Sequence, residues 1–182
     1  LQADYWKPIQ AGELAHSYAH KLQSLVSNKQ SQFHPNSYAL QTPASPHLAA
    51  AKDGITIDLN QIQEPETTNH LVVEGAGGIL VPLNDTQSVA DLIQSDYKVI
   101  VVSRHYLGSI NHTLLTIESL QNRGIQVAGI IFSGDENSST ESIILSRTAV
   151  PCLGRIAQEP YFDSNVISEY ADAFRDSLMK IQ

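Results

Sequence analysis

One cysteine, one methionine and one tryptophan occur in the 182 residues. Cys152 has no partner within the chain, which excludes a disulfide-stapled scaffold, and no charged stretch followed by an apolar one opens the sequence. A reducing, cytoplasmic setting is therefore expected. The apolar runs are only strand-sized, far short of the roughly 20 residues that span a bilayer, so no membrane is expected as partner. With 11 Lys and Arg against 19 Asp and Glu, the formal charge is -8 and the basic side chains do not cluster. That balance argues against a nucleic-acid partner. The only methionine is Met179, so the sequence carries no initiator and is expected to lack its natural beginning. What remains is long enough to bury a core unaided, and no shift in composition divides it, so residues 1–182 are expected to form a single domain.

Three apolar, β-branched runs stand out: Leu71 to Val73, Lys98 to Val102 and Val127 to Phe132. Each is continuous rather than alternating, the pattern of strands buried on both faces. Helical patterns fall between them. Ser88 is the expected N-cap for Val89, Leu92 and Ile93, and Ser109 opens a longer helix with Ile110, Leu114, Ile117 and Leu120 on one face, closed by Gly124. Glu141 to Leu145 reads as another helix. Earlier in the chain, Asp4 to Lys7 suits a strand, Leu14 to Val26 a helix, and Thr42 to Pro46 a rigid loop feeding a short helix from His47. Strand and helix alternate at spacings that predict right-handed βαβ units and a doubly wound, mostly parallel α/β sheet.

Ligands bind beyond the carboxyl ends of strands in such sheets, which selects the residues just after each apolar run. Glu74 is the sharpest of these. A carboxylate at a strand tip, followed by Gly75, Gly77 and Gly78, combines a hard oxygen ligand for Mg²⁺ with a backbone that an anion can approach closely. The plainer reading is a flexible turn with an exposed glutamate. Lys7 before Pro8 is either a solvated charge or an ammonium held toward a phosphate or carbamate. At Gly108-Ser109-Ile110-Asn111 a helix begins, and its free amides and dipole suit a carboxylate, although a simple Ser N-cap explains the same residues. His47 reads as packed at a helix start and Cys152 as a small core residue. The histidines show no metal spacing and no G-x-S-x-G elbow occurs, so a hydrolase has no nucleophile here.

Four segments in order, Tyr5-Trp-Lys-Pro-Ile-Gln-Ala-Gly12, Ser45-Pro-His-Leu-Ala-Ala50, Val73-Glu-Gly-Ala-Gly-Gly78 with Val81-Pro-Leu-Asn84, and Leu107-Gly-Ser-Ile-Asn-His112, resemble dethiobiotin synthase across nearly the whole chain. The resemblance implies a homodimeric ligase of the P-loop NTPase class that uses ATP, Mg²⁺ and CO₂ (or bicarbonate) to close a ureido ring on 7,8-diaminopelargonate. It implies Lys7 as the active-site lysine beside carbamate and γ-phosphate, and Glu74 as a Mg²⁺ ligand. Gly75, Ala76 and Gly77 would flank nucleotide phosphate and substrate, and Ser133, Ile156, Ala157 and Gln158 would lie at the nucleotide. Gly12, with Leu107, Gly108, Ser109 and Asn111 from the neighbouring subunit, would hold the diamine. Phosphoryl transfer of this kind needs positioned positive charge rather than a protein nucleophile.

The sequence also departs from that family. Its first strand, Gly-Lys-Thr loop and helix are missing, and Leu1-Gln2 reads as the last turn of that helix. Tyr18 stands where a metal-binding aspartate is expected, Ala11 for a serine, Ser133 for an adenine-reading asparagine and Ala157 for a proline. Expectations accordingly run along three lines: the ligase itself; a weakened or truncated relative that binds the diamine but turns ATP over poorly; and another P-loop synthetase or partitioning ATPase. The Ser-Pro-His and Leu-Gly-Ser-Ile-Asn-His segments favour the first two.

Overall fold

The structure, a computed structural model, describes residues 2–181, apart from the side chains of His16 and Tyr18. The readings placed on Leu1 and on the Tyr18 side chain lie outside the described residues. The chain divides into two compact units, Leu1–Ile93 and Gln94–Gln182. The first carries β1 (Asp4–Trp6), β2 (Ile9–Ala11), α1 (Tyr18–Leu25), β3 (Phe33–His34), β4 (Tyr38–Leu40), α2 (Pro46–Lys52) and β5 (Leu71–Val73). In the second follow β6 (Val99–Arg104), α3 (Ser109–Asn122), β7 (Val127–Ser133), α4 (Ser138–Thr148), β8 (Cys152–Ile156) and α5 (Ser164–Met179). The strand orders are β3-β1-β5 and β2-β4 in the first unit and β6-β7-β8 in the second, and every one of these pairings is parallel. Parallel neighbours need crossovers between them, which the helices supply. The expected mostly parallel α/β architecture is the one observed.

In the first unit, Ile9 of β2, Leu40 of β4, Ala49 and Ala50 of α2, and Ile57, Leu83 and Val89 form one buried cluster. Each large aliphatic there contributes about 1.5–3 kcal/mol by leaving water. Pro46 begins α2, where its missing N–H costs nothing. Gly12, just past β2, has a φ of +72°, and a Cβ there would lie 2.5 Å from the Pro43 Cβ. Only glycine fits that turn.

Asp4, at the start of β1, is fully buried. Its carboxylate accepts from the Gln32 backbone N–H at 2.9 Å, the Asn69 amide at 2.9 Å and the Thr67 hydroxyl at 2.7 Å, and it meets the His34 Nε2 at 2.9 Å. The Gln32 N–H foremost, then the Asn69 amide, hold its pKa well below the usual carboxylate range against the opposing effect of burial. A lowered folded-state pKa gives stability that is present above the unfolded value of 3.8 and is lost as the pH falls through the folded one. Asp4→Asn should therefore lower stability at neutral pH and flatten its decline below about pH 4. Urea midpoints at neutral pH and in mild acid read the difference; parallel curves would contradict this role.

In the second unit β7 is the central strand, and Ile130, Phe132, Ile144 and Leu120 are completely buried around it. Most of its apolar run is buried, with Ala128 and Ile131 half-buried. The other two runs are more open. Val72 of β5 is 50% exposed and Val102 of β6 is 66% exposed. Successive side chains of a strand point to opposite faces of its sheet, and the faces that carry Val72 and Val102 are left open to solvent.

Other local readings also need correction. Leu14 to Val26 is broken at Ser17, whose extended backbone separates a 3₁₀ turn at Leu14–His16 from α1. Val89–Leu92 is 3₁₀ rather than α, although Ser88 does cap it, with the Asp91 carboxylate accepting from the Ser88 N–H and hydroxyl at 2.7 Å each. On α3 the buried face is Ser109, Thr113, Ile117 and Leu120. Ile110 is turned out, because Thr113 hydrogen-bonds the buried Ser103 of β6 at 2.7 Å and sets the rotation of the helix. Ser109 is not the N-cap; Gly108 is, at a φ of 105° that glycine tolerates. His47 and Cys152 are exposed rather than packed inside.

Candidate active site

β1 and β5 are parallel neighbours with Trp6 opposite Val73, so Lys7 and Glu74 leave the sheet side by side at its carboxyl end. The Glu74 N–H donates to the Trp6 carbonyl at 2.9 Å and prolongs the ladder to that point. The Lys7 ammonium then lies 2.8 Å from the Glu74 Oε1. Asn36 donates to the Lys7 carbonyl at 2.6 Å and steadies the lysine backbone, and Pro8 is buried behind it. Lysine is 11% exposed at its side chain and the glutamate 39%. One face of the pair is thus sheltered while the carboxylate stays open to a ligand.

A third group was not anticipated. The Tyr5 hydroxyl donates to the other glutamate oxygen, Oε2, at 2.5 Å. Burial first, and then the Glu74 carboxylate, push the Tyr5 phenol well above the ordinary tyrosine range. It therefore remains a donor throughout the neutral range. Tyr5 stands two residues before Lys7 on the same strand face, and that period-2 spacing was the available signal.

The glycines after Glu74 have structural reasons of their own. A Cβ on Gly75 would come within 3.0 Å of Val89, and Gly77 holds a φ of +89° with Val81 3.1 Å from the position of a Cβ. Ala76 packs on the aliphatic cluster of its unit. Among the described residues no group of three or more His, Cys, Asp or Glu is arranged for a metal. Mg²⁺ asks for less, since it usually keeps waters and takes one or two carboxylates along with substrate phosphates. A single part-exposed carboxylate beside a glycine turn fits that requirement.

In the second unit, Ser133 ends β7 opposite Ile156 at the end of β8, so Ser133, Ile156 and the following Ala157 and Gln158 emerge at one end of that sheet. Gly134 continues the ladder by donating to the Ile156 carbonyl at 2.9 Å. The Tyr170 hydroxyl of α5 accepts from the Ala157 N–H at 2.9 Å and donates to Glu159 at 2.6 Å, which pins this loop. At the same end, Glu141 receives two hydrogen bonds from Arg155, each 2.9 Å, and meets the His105 Nε2 at 2.9 Å. Burial raises the Glu141 pKa, but these partners outweigh it and leave the group below its ordinary value. Neither Tyr170 nor this charged group was found from the sequence. Before α3, Leu107 is completely exposed and Gly108 is exposed; in its first turn Ser109 is buried and Asn111 exposed.

The comparisons with known proteins agree among themselves. A family model described as an AAA domain matches residues 1–165. An ATP-dependent dethiobiotin synthetase of Christiangramia forsetii is 58% identical over 181 residues, 100% of this chain and 87% of that protein. Its counterpart in Cytophaga hutchinsonii is 50% identical over 94% of this chain and 84% of its own length, and one from Rhodopseudomonas palustris 40% identical over 92% and 80%.

Proposed function

This chain belongs to the ATP-dependent dethiobiotin synthetase family, and from that membership we propose how its residues serve the reaction. It is an ATP-dependent cyclo-ligase of biotin biosynthesis, and the reading as another P-loop synthetase or partitioning ATPase falls away. The substrates are ATP, CO₂ and 7,8-diaminopelargonate. One amine captures CO₂ as a carbamate, the carbamate oxygen attacks the γ-phosphorus of ATP with release of ADP, and the second amine attacks the activated carbon and displaces phosphate.

The observation that carries the site assignment is the juxtaposition of Lys7 and Glu74, 2.8 Å apart at the ends of neighbouring parallel strands. Lys7 supplies a fixed positive charge where the carbamate and the transferring phosphoryl group carry negative charge, which is the largest service a protein renders to this chemistry. Glu74 would hold Mg²⁺, which when bound neutralises charge on the nucleotide phosphates. Gly75 and Gly77 leave backbone N–H groups that a phosphate can approach, and Ala76 anchors the turn. We read Ser133, Ile156, Ala157 and Gln158 of the second unit as nucleotide-binding residues, and Gly12 of the first unit as a substrate-binding turn. Because one family model spans both units, residues 1–165, we read the chain as a single domain.

We further propose a homodimer. Tyr106, Leu107 and Ile110 expose apolar surface at the start of α3, which supports a second copy covering them, with Leu107, Gly108, Ser109 and Asn111 holding the substrate carboxylate for that copy. Asn111→Trp should then weaken diaminopelargonate binding about tenfold with little change in thermal stability, since the position is exposed. Calorimetric titration reads it, and unchanged affinity counts against the loop. No helix of the described residues is long and apolar enough to cross a membrane. We place the enzyme in the cytoplasm, consistent with its free cysteine. The reaction itself is tested by ADP release that depends on diaminopelargonate under saturating bicarbonate; ADP release indifferent to the diamine would contradict it.

A further inference from the structure

We propose that Tyr5 is a positioning residue of this site, holding the Glu74 carboxylate by one oxygen so that the other stays aligned when Lys7 turns toward an incoming anion. The inference rests on the dethiobiotin synthetase reading of the Lys7 and Glu74 pair and adds a residue to it. Both glutamate oxygens are engaged in the structure, Oε1 by the Lys7 ammonium at 2.8 Å and Oε2 by the Tyr5 hydroxyl at 2.5 Å. The two contacts differ in kind. Lysine reaches through a flexible four-carbon stem, and its ammonium is the group that must also meet carbamate and phosphate. Tyrosine has two side-chain torsions, and here the residue is 8% exposed with its ring against Phe33 at 5.6 Å between centroids. Its hydroxyl can point in few other directions. As Lys7 shifts its charge to a substrate anion, the bond to Glu74 weakens, while the phenol contact remains. Without that contact a half-exposed glutamate would relax among several rotamers, and its effective affinity for a cation would fall by the fraction of time spent misaligned.

Tyr5→Phe in the full-length protein removes one oxygen and keeps the ring. A hydrogen bond to a charged group is worth enough to predict an effect of about tenfold. The Mg²⁺ concentration for half-maximal rate should rise by about that factor at fixed ATP, with the half-saturating concentration of diaminopelargonate unchanged. Independently of turnover, calorimetry should show ADP binding weakened about tenfold in the presence of Mg²⁺ and unaltered in the presence of a chelator. The melting temperature should fall by no more than about 3 °C. An unaltered Mg²⁺ requirement would overturn the proposal, as would equal weakening for all three ligands, which is the mark of a general structural defect. Failure of the underlying reading looks different: the unsubstituted protein would then show no diamine-dependent ADP release at all.

Discussion

Lys7→Ala should lower kcat by about 10²–10³ while leaving the protein almost as stable as before. The rate effect follows from removing a preorganised positive charge from a sheltered position, where water cannot replace it at the right place. The stability effect is small because the pair is partly open, with the Glu74 side chain 39% exposed, and ion pairs in contact with solvent contribute about 1 kcal/mol or less. Tyr5 also remains on the Glu74 carboxylate after the lysine is gone. Single-turnover ADP release at saturating substrates, set beside thermal unfolding, separates the two quantities. If the rate fell tenfold or less, Lys7 would be a surface charge near the site. If rate and stability fell together, the lysine would be a structural residue.

A large loss of stability is expected from Gly154→Ala in β8. The position has a φ of +154°, and a Cβ there would fall 2.2 Å from Cε1 and 2.6 Å from Cδ1 of Phe174. Phe174 is itself 8% exposed and lies against Tyr170, so its ring has little room to retreat. Strain at the backbone and overpacking against the ring each cost on the order of 1–3 kcal/mol, which predicts a total of about 4 kcal/mol. Gly124→Ala isolates the first contribution, since that glycine has a φ of +75° with nothing within 4 Å of a Cβ. It should cost about 1 kcal/mol. Equal denaturation midpoints for the two variants would contradict the packing argument. Because Tyr170 pins Ala157, a displaced Phe174 should also loosen the loop assigned to the nucleotide.

The parallel architecture was legible because its signals are local and redundant: β-branched runs ending in Glu74, in Ser133 and before the Tyr106 loop, with amphipathic stretches between the later ones. The same local signals brought out the candidate site. Lys7 and Glu74 each end an apolar run, and in a parallel sheet such ends share one rim. What escaped was set by tertiary partners. The rotation of α3 follows a buried hydroxyl pair, Ser103 and Thr113, which no hydrophobic count registers. Cys152 is exposed because the strand begins there, before its side chains turn inward at Leu153. The cover over each sheet face, not composition, decides that Val72 and Val102 stay exposed. Tyr5 was read as part of a strand and not as a ligand of Glu74, since its role depends on a residue 69 positions away. The charged group of His105, Glu141 and Arg155 likewise joins the loop after β6, α4 and β8, which the sequence presents separately.

The central claim is that this chain uses the Lys7 and Glu74 rim to build a ureido carbon from CO₂. Incubating the full-length protein with ATP, Mg²⁺, 7,8-diaminopelargonate and ¹³C-bicarbonate, then weighing the product by mass spectrometry, tests it most directly. Dethiobiotin carrying one labelled carbon, formed in equal amount with ADP and suppressed by Lys7→Ala, is the predicted result. ADP without labelled product, or labelled product formed equally well by the Lys7→Ala variant, would contradict it.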